Sequence, residues 1–272
     1  MLLINSNCFL SLLIINFICI YIDQLHHPVM ASLPPSDCCA KVTFQEGTAK
    51  GHFETIHSLR CYVSDNYTTQ EEKYLVIFTD VFGLDLLNTK LIADNFADML
   101  GYPVIVPDIL FNDPVSANNS DFETFFANHP VEKTKKCIAD FLSPFKSTFI
   151  KAKFFAGIGY CFGAKYLVHH MTESGIFNVG AIAHPSFVDE EELKQVKKPL
   201  LISAAEIDTI FTPELRAKSE MILKDLDIHY QVDLFGGVSH GFAVRGDLSV
   251  KSVRYAAEKA FADAVHWFNY HA

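Results

Sequence analysis

The sequence predicts an α/β fold, a mostly parallel β-sheet with helices on both faces, built as a single domain. Three observations predict it. The chain has 272 residues and is 50% hydrophobic, enough to bury one large core. Short continuous apolar runs such as Tyr74-Leu75-Val76-Ile77-Phe78 have the character of strands covered on both faces. These runs take turns with segments of helical periodicity, the signature of successive βαβ units.

The elements follow in chain order. Phe53 to Val63 partly alternates in the manner of an early strand, and Tyr74 to Phe78 is the first buried one. Leu86 to Leu100 carries apolar residues at helical spacing (Leu87, Leu91, Phe96, Leu100) and stops at Gly101, a natural left-handed cap. Pro103 to Pro107 is a short strand. A helix around Val131 to Leu142, a strand at Lys153 to Ile158, a helix from Gly163 to Thr172 and a strand at Val179 to Ala183 continue the alternation. Leu200 to Ala204 and Tyr230 to Phe235 are the last strands. Between them lies a helix, Pro213 to Lys224, with proline in its first turn. A closing helix, Val253 to Phe268, buries Phe261, Trp267 and Phe268 in the core. No repeat or linker divides the chain.

Residues 1–30 are set apart as an apolar extension, leaving 31–272 as the folded domain. The run Phe9 to Ile22 is shorter than the roughly 18–20 residues that span a bilayer. It resembles a signal-peptide core, but no Lys or Arg precedes it and no small-x-small cleavage site follows. Met30 then opens MASLPPSDCCAKV, which reads as a second, cytoplasmic start. The cytoplasm is therefore expected, with secretion or membrane anchoring through residues 9–22 as the alternative. A membrane is a partner only if that segment is real.

A net charge of −10, without clustered Lys and Arg, argues against nucleic acid and for a small-molecule partner. Seven cysteines with no CxxC pair suggest neither a disulfide framework nor a zinc ribbon, and Cys38-Cys39 read as incidental thiols. No GxGxxG fingerprint or P-loop implies a cofactor. His169-His170 lacks the further ligands a metal needs, so none is expected.

Three segments carry chemistry, each just beyond a strand, where functional groups of a parallel sheet gather. Gly159-Tyr160-Cys161-Phe162-Gly163 is a G-x-C-x-G form of the strand-to-helix nucleophile elbow. Glycines there permit a tight turn and close helix packing, and the following helix N-terminus favours thiolate. Asp208 ends Ala204-Ala205-Glu206-Ile207-Asp208, and His240 lies in Gly236-Gly237-Val238-Ser239-His240-Gly241-Phe242. Nucleophile, acid and histidine thus run in the chain order of α/β-hydrolases. In those roles His240 would pair with the Cys161 thiolate and later activate water, while Asp208 fixes its tautomer. The Phe162 amide, next after the nucleophile, is one oxyanion donor, and a second should come from 79-TDVFG-83. His184, at another strand end, either lines the pocket or is a satisfied structural histidine. Tyr160 and Phe162 either shape an apolar pocket or only pack.

With 80-DVFG-83, 157-GIGYCFGAKY-166, 204-AAEID-208 and 237-GVSHGFAVRG-246 in place, residues 40 to 272 resemble the dienelactone hydrolase family in its fungal-like form. The resemblance implies an ester or lactone hydrolase that acylates its cysteine. It also implies a Cys161, Asp208 and His240 triad and the Phe162 and Val81 amides as oxyanion donors. In bacterial members a glutamate that helps to activate the thiol stands where this chain has Asp80. Asp80 is then either a pocket or activation residue or a cap for the loop before Leu84 to Leu87. Those members also grip the substrate carboxylate with arginines, one of them four residues after the histidine. Here that position is Val244, with Arg245 one further on, and 107-PDILFNDPV-115 has no arginine. This argues against dienelactone itself as the substrate. Two other readings compete: a non-catalytic ligand sensor on the same fold, which the retained Cys, Asp and His disfavour, and a redox-sensing Cys161, which lacks a resolving cysteine in its motif.

Overall fold

The computed structural model describes residues 28–117 and 121–272; the apolar run at 9–22, with Cys8 and Cys19, lies outside them. A 3-10 turn at Asp37–Ala40 precedes β1 (His52–Ile56), β2 (Leu59–Val63), β3 (Lys73–Phe78), α1 (Leu87–Leu100) and β4 (Val104–Pro107). Next come α2 (Phe122–Asn128), α3 (Val131–Leu142), α4 (Phe145–Thr148), β5 (Phe154–Tyr160), α5 (Gly163–His169), β6 (Val179–Ala183) and α6 (Glu190–Lys194). The chain closes with β7 (Leu200–Ile207), α7 (Pro213–Lys224), β8 (Tyr230–Ser239), α8 (Phe242–Arg245) and α9 (Lys251–His271).

These strands form one sheet in the order β1-β2-β4-β3-β5-β6-β7-β8. From β4 to β8 every pairing is parallel, and β2 alone runs the other way, antiparallel to both its neighbours β1 and β4. Adjacent residues of β5 show why the sheet must be covered twice. A Cβ on Gly157 would strike Leu167 of α5, whereas Ile158 faces the cavity beneath Phe261 of α9. Successive side chains leave a strand on opposite faces, so α5 and α9 lie on opposite sides. The long α9 is pinned by Trp267, whose indole N–H donates to the Gly180 carbonyl at 3.1 Å, and by Phe268, fully buried.

The structure departs from the sequence reading at three places. The single early strand over Phe53 to Val63 is a hairpin: His57 and Ser58 take φ of 49° and 66°, and Ile56 pairs with Leu59. A two-residue turn with both central residues at positive φ usually announces itself as Asn-Gly. Here the His57 ring holds the turn instead, through Nδ1 to the Phe141 carbonyl (2.8 Å) and Nε2 to the Thr148 hydroxyl (2.7 Å). Second, α2 adds an unforeseen helix, capped where the Thr124 amide donates to the Asp121 carboxylate. Third, β7 and β8 run longer than their apolar runs suggest, which carries them to the site.

Among the described residues, backbone contacts with the domain begin at Val29, whose carbonyl accepts from Glu190 N (2.8 Å). Ala31 and Ser32 both donate to the Val188 carbonyl, and Leu33 donates to Ile210 and accepts from Phe187. Residues 29–33 are thus stitched across the loops that follow β6 and β7. Among the described residues no helix is long and apolar enough to cross a membrane.

Candidate active site

The elbow between β5 and α5 fits only glycine at two points. A Cβ on Gly163 would lie 2.2 Å from the Phe78 carbonyl oxygen, and one on Gly159 would lie 2.7 Å from Ala164 Cα. The glycines serve close approach, and the strained backbone falls on Cys161 itself, at φ 48°. Such a conformation costs about 1–3 kcal/mol and persists where neighbours over-determine it. Cys161 N donates to the Ala183 carbonyl (3.1 Å), and its own carbonyl accepts from Ala164 and Ser186 amides (3.1 and 3.0 Å). Lys165, buried on α5, anchors the elbow helix to Glu192 (2.7 Å) and to the Phe187 carbonyl (3.1 Å).

Asp208 and His240 meet through a register shift. Up to Ala205, which faces Phe235, β7 and β8 pair in step, but Ile207 then faces Ser239. Without the shift Ile207 would face Gly237. The slack is taken up at Gly236-Gly237, with Gly237 at φ 72° and its amide donating to Glu206 (2.6 Å). The next residues beyond the Ile207–Ser239 pair are Asp208 and His240. The strand continuity fixes them as neighbours, and His240 N donates to the Ile207 carbonyl (3.2 Å).

Asp208, His240 and Cys161 form one buried chain of contacts. His240 Nδ1 donates to Asp208 Oδ2 at 2.9 Å, and His240 Nε2 lies 3.2 Å from Cys161 Sγ. The other Asp208 oxygen accepts from the Ile210 and Phe211 amides (2.8 and 2.9 Å), which fixes the carboxylate's orientation. Burial works against charge on the Cys161 thiol, but the Cys39 thiol and the His240 charge outweigh it and hold the thiol well below its usual value. Burial likewise opposes the His240 imidazolium, yet the Cys161 charge and the hydrogen bond to Asp208 raise it to about 10. Both shifts favour a thiolate beside an imidazolium.

The remaining candidates surround this pair. Among the described residues the Val81 and Phe162 amides have no acceptor in the fold. The Phe162 ring is fully buried against Phe125, Tyr166 and Phe187. Asp80 both caps its loop, with Oδ1 accepting from Phe82 N (2.9 Å), and pairs through Oδ2 with Arg245 Nε (2.7 Å). Arg245 also donates through Nη1 to the Cys39 and Lys41 carbonyls (2.6 and 2.8 Å). His184 is fully buried at φ 38° with its ring 5.0 Å from that of His240; its nitrogens meet no partner in good hydrogen-bond geometry, yet it faces the Cys161 thiol and favours its charged form. Burial lowers its pKa to about 4, so it is neutral.

A cleft of about 430 Å³ opens over His240, lined by Cys38, Lys41, Thr43, Thr209 and Arg245 among others. A second cavity of about 190 Å³, to which Tyr160 contributes, lies beneath α9 and does not touch Cys161. The residue that sequence reasoning missed is Cys39, whose Sγ is 3.4 Å from Cys161 Sγ. Separated by 122 residues and marked by no motif, the two sulfurs give no signal in one dimension. Cys39, Cys161 and His240 are also the group, among the described residues, whose ligand atoms lie close enough to share a metal ion, all within 4.8 Å.

Comparison with known proteins bears on the family and the fold. The dienelactone hydrolase family profile matches residues 59–272. The chain is 38% identical over 243 residues to the hydrolase pyvD of Aspergillus violaceofuscus, covering 88% of this chain and 98% of that protein. It is 39% identical over 251 residues to the hydrolase tropI of Talaromyces stipitatus, with the same coverage of 88% and 98%. Among solved structures, the dienelactone hydrolase-like promiscuous phosphotriesterase P91 from metagenomic libraries superimposes with a TM-score of 0.63 at 17% identity, over 82% of this chain and 98% of that one. That last likeness bears on the fold alone.

Proposed function

Because the chain belongs to the dienelactone hydrolase family, enzymes that cleave ester or lactone bonds, we propose that it does so through Cys161, His240 and Asp208 with an acyl-cysteine intermediate. The observation that carries the reading is the unbroken chain from Asp208 Oδ2 through His240 to Cys161 Sγ.

The Cys161 thiolate attacks the acyl carbonyl, and the resulting oxyanion is received by the free amides of Val81 and Phe162. Each such donor is worth on the order of 10²–10³ in rate. The His240 imidazolium protonates the departing alkoxide. Acylation then consumes the thiolate charge that is the main influence raising His240 against its burial. The imidazole loses its hold on a proton when a base is needed, and it activates water for deacylation. Asp208 keeps Nδ1 protonated in both halves of the cycle.

Arg245 is committed to Asp80 and to two backbone carbonyls. These contacts occupy Nε and Nη1 and leave only Nη2 without a partner, so Arg245 offers no bidentate fork to a substrate carboxylate, and the substrate is an ester or lactone held by other groups of the cleft. A thiolate nucleophile works only where thiols stay reduced, and the five described cysteines are all free; both support a cytoplasmic setting.

The test incubates the purified protein and its Cys161→Ala and Cys161→Ser variants with p-nitrophenyl acetate and a lactone panel, and searches for an acyl adduct on Cys161 by mass spectrometry. Wild-type turnover no faster than that of Cys161→Ala across the panel would sink the reading.

A further inference from the structure

Cys39 has no part in the hydrolytic cycle, yet its sulfur is in contact with the nucleophile. Both sulfurs are fully buried, and they lie 3.4 Å apart. Cys39 is rigidly placed: its amide donates to the Ser36 carbonyl (2.7 Å), closing the 3-10 turn, and its carbonyl is held by Arg245 Nη1. The lining of the cleft includes His240, whose Nε2 is 3.2 Å from Cys161 Sγ, and Cys38, the chain neighbour of Cys39, but neither sulfur of the pair. That is the side from which a small oxidant would come.

We propose that Cys39 and Cys161 are a reversible oxidation site, with hydrogen peroxide as oxidant, Cys161 as the sulfur oxidised first and Cys39 as the resolving thiol. The Cys161 thiolate attacks one peroxide oxygen, a sulfur–oxygen bond forms and the O–O bond breaks. The leaving hydroxide takes the His240 proton and departs as water. Cys39 then attacks the sulfenic sulfur, so that an S–S bond forms and the S–O bond breaks. His240 passes the Cys39 proton to the leaving hydroxide. Two thiols lose two electrons, one peroxide gains them, and two waters leave.

Geometry makes the second step fast relative to further oxidation. A sulfenic acid exposed to peroxide proceeds to sulfinic acid, which is not recovered by thiols. A resolving thiol already in contact competes intramolecularly, without any rearrangement of the fold. The hydrogen bond to Cys161, then that to Cys38 and burial, hold the Cys39 thiol well above the usual range, so it donates to the Cys161 thiolate and does not compete as the first nucleophile. Oxidation removes the catalytic thiolate, and a small dithiol restores it by exchange. The inference rests on the placement of the two sulfurs and holds whether or not Cys161 turns over esters.

Purified protein is treated with hydrogen peroxide, quenched with N-ethylmaleimide and digested without reduction for peptide mass mapping. The expected product is a Cys39–Cys161 linked peptide that dithiothreitol separates, with esterase activity lost and then recovered in parallel. In Cys39→Ser the link is absent and Cys161 is found as sulfinic or sulfonic acid, with activity recovered by dithiothreitol at least about tenfold less completely than in wild type. The wild-type map needs no variant to fold. Cys161 oxidised beyond sulfenic acid with Cys39 still alkylated, or a link through Cys38 instead, overturns the proposal. So does equal recovery of wild type and Cys39→Ser.

Discussion

Asp80 and Arg245 form an ion pair at 2.7 Å in which both side chains are almost wholly excluded from solvent. One residue precedes the Val81 amide and the other is the last residue of α8, the short helix after His240, so the pair ties two walls of the site together. Breaking a buried pair by removing one partner leaves a charge stranded and costs about 3–5 kcal/mol. Arg245→Met is expected to lower the thermal midpoint sharply. The double variant Asp80→Asn/Arg245→Met should recover part of that loss, because no charge is left behind. A thermal-denaturation cycle over the four proteins measures it, and additive losses would count against the pair.

The Asp208 carboxylate is fixed by two amides and faces Nδ1 of His240. Asp208→Asn keeps the shape but can present its NH₂ group where an acceptor is needed, so the imidazole takes the wrong tautomer. We expect kcat on a p-nitrophenyl ester to fall by about 10²- to 10⁴-fold while KM changes little. Steady-state kinetics on variants with matched circular dichroism would reveal a smaller role.

The ion pair at rest has a pH signature. His240 binds its proton more tightly when folded, at about 10 against about 6.5 for a free imidazole. Its contribution to stability is therefore fully present below about pH 6.5 and is lost as the pH rises through about 10. Cys161 is shifted the other way: its contribution is present above the ordinary thiol value and is lost as the pH falls through its lowered one. Ultraviolet thiolate absorbance should accordingly be present in wild type at neutral pH and absent in Cys161→Ala. In His240→Gln the thiol should titrate closer to its ordinary value, because a cationic neighbour is gone. Unchanged titration in His240→Gln would remove the imidazolium from the account.

Gly237 sits at φ 72° in the irregular stretch that brings His240 beside Asp208, and a Cβ there meets nothing within 4 Å. Any penalty for Gly237→Val is therefore conformational, about 1–3 kcal/mol. Because that conformation sets the register ahead of His240, kcat should fall as well. Gly163→Ala differs in kind: the added carbon would overlap the Phe78 carbonyl oxygen, so the expected result is loss of folded protein at 37 °C. Soluble yield and midpoint temperature distinguish the two.

How much was legible follows from which contacts are local. The helices Val131–Leu142 and Pro213–Lys224 read with their observed bounds because periodicity and an initial proline are local signals. That Cys161, Asp208 and His240 converge is legible because each ends a strand and the strands lie on one side of the sheet's parallel run. The hairpin was hidden because its turn, with His57 and Ser58 at positive φ, is held by contacts of the His57 ring with Phe141 and Thr148, far along the chain. Arg245 could be placed near the pocket by its distance from His240, but its engagement with Asp80 and the Cys39 carbonyl is tertiary. Cys39 gave no cue, since a thiol carries no record of the sulfur it touches.

The segment from Val29 to Thr43 lies ahead of the region that the family profile matches, which begins at Leu59. Yet this strip is laced to the loops after β6 and β7, supplies Cys38, Lys41 and Thr43 to the cleft, and places Cys39 on the nucleophile. One wall of the cleft therefore comes from a strip that precedes the profile-matched scaffold, and the facing wall, from Ile207 to Val253, comes from the scaffold itself. Substitutions confined to that strip of some fifteen residues would change what the cleft admits while the sheet and the Cys161, Asp208 and His240 contacts stay as they are.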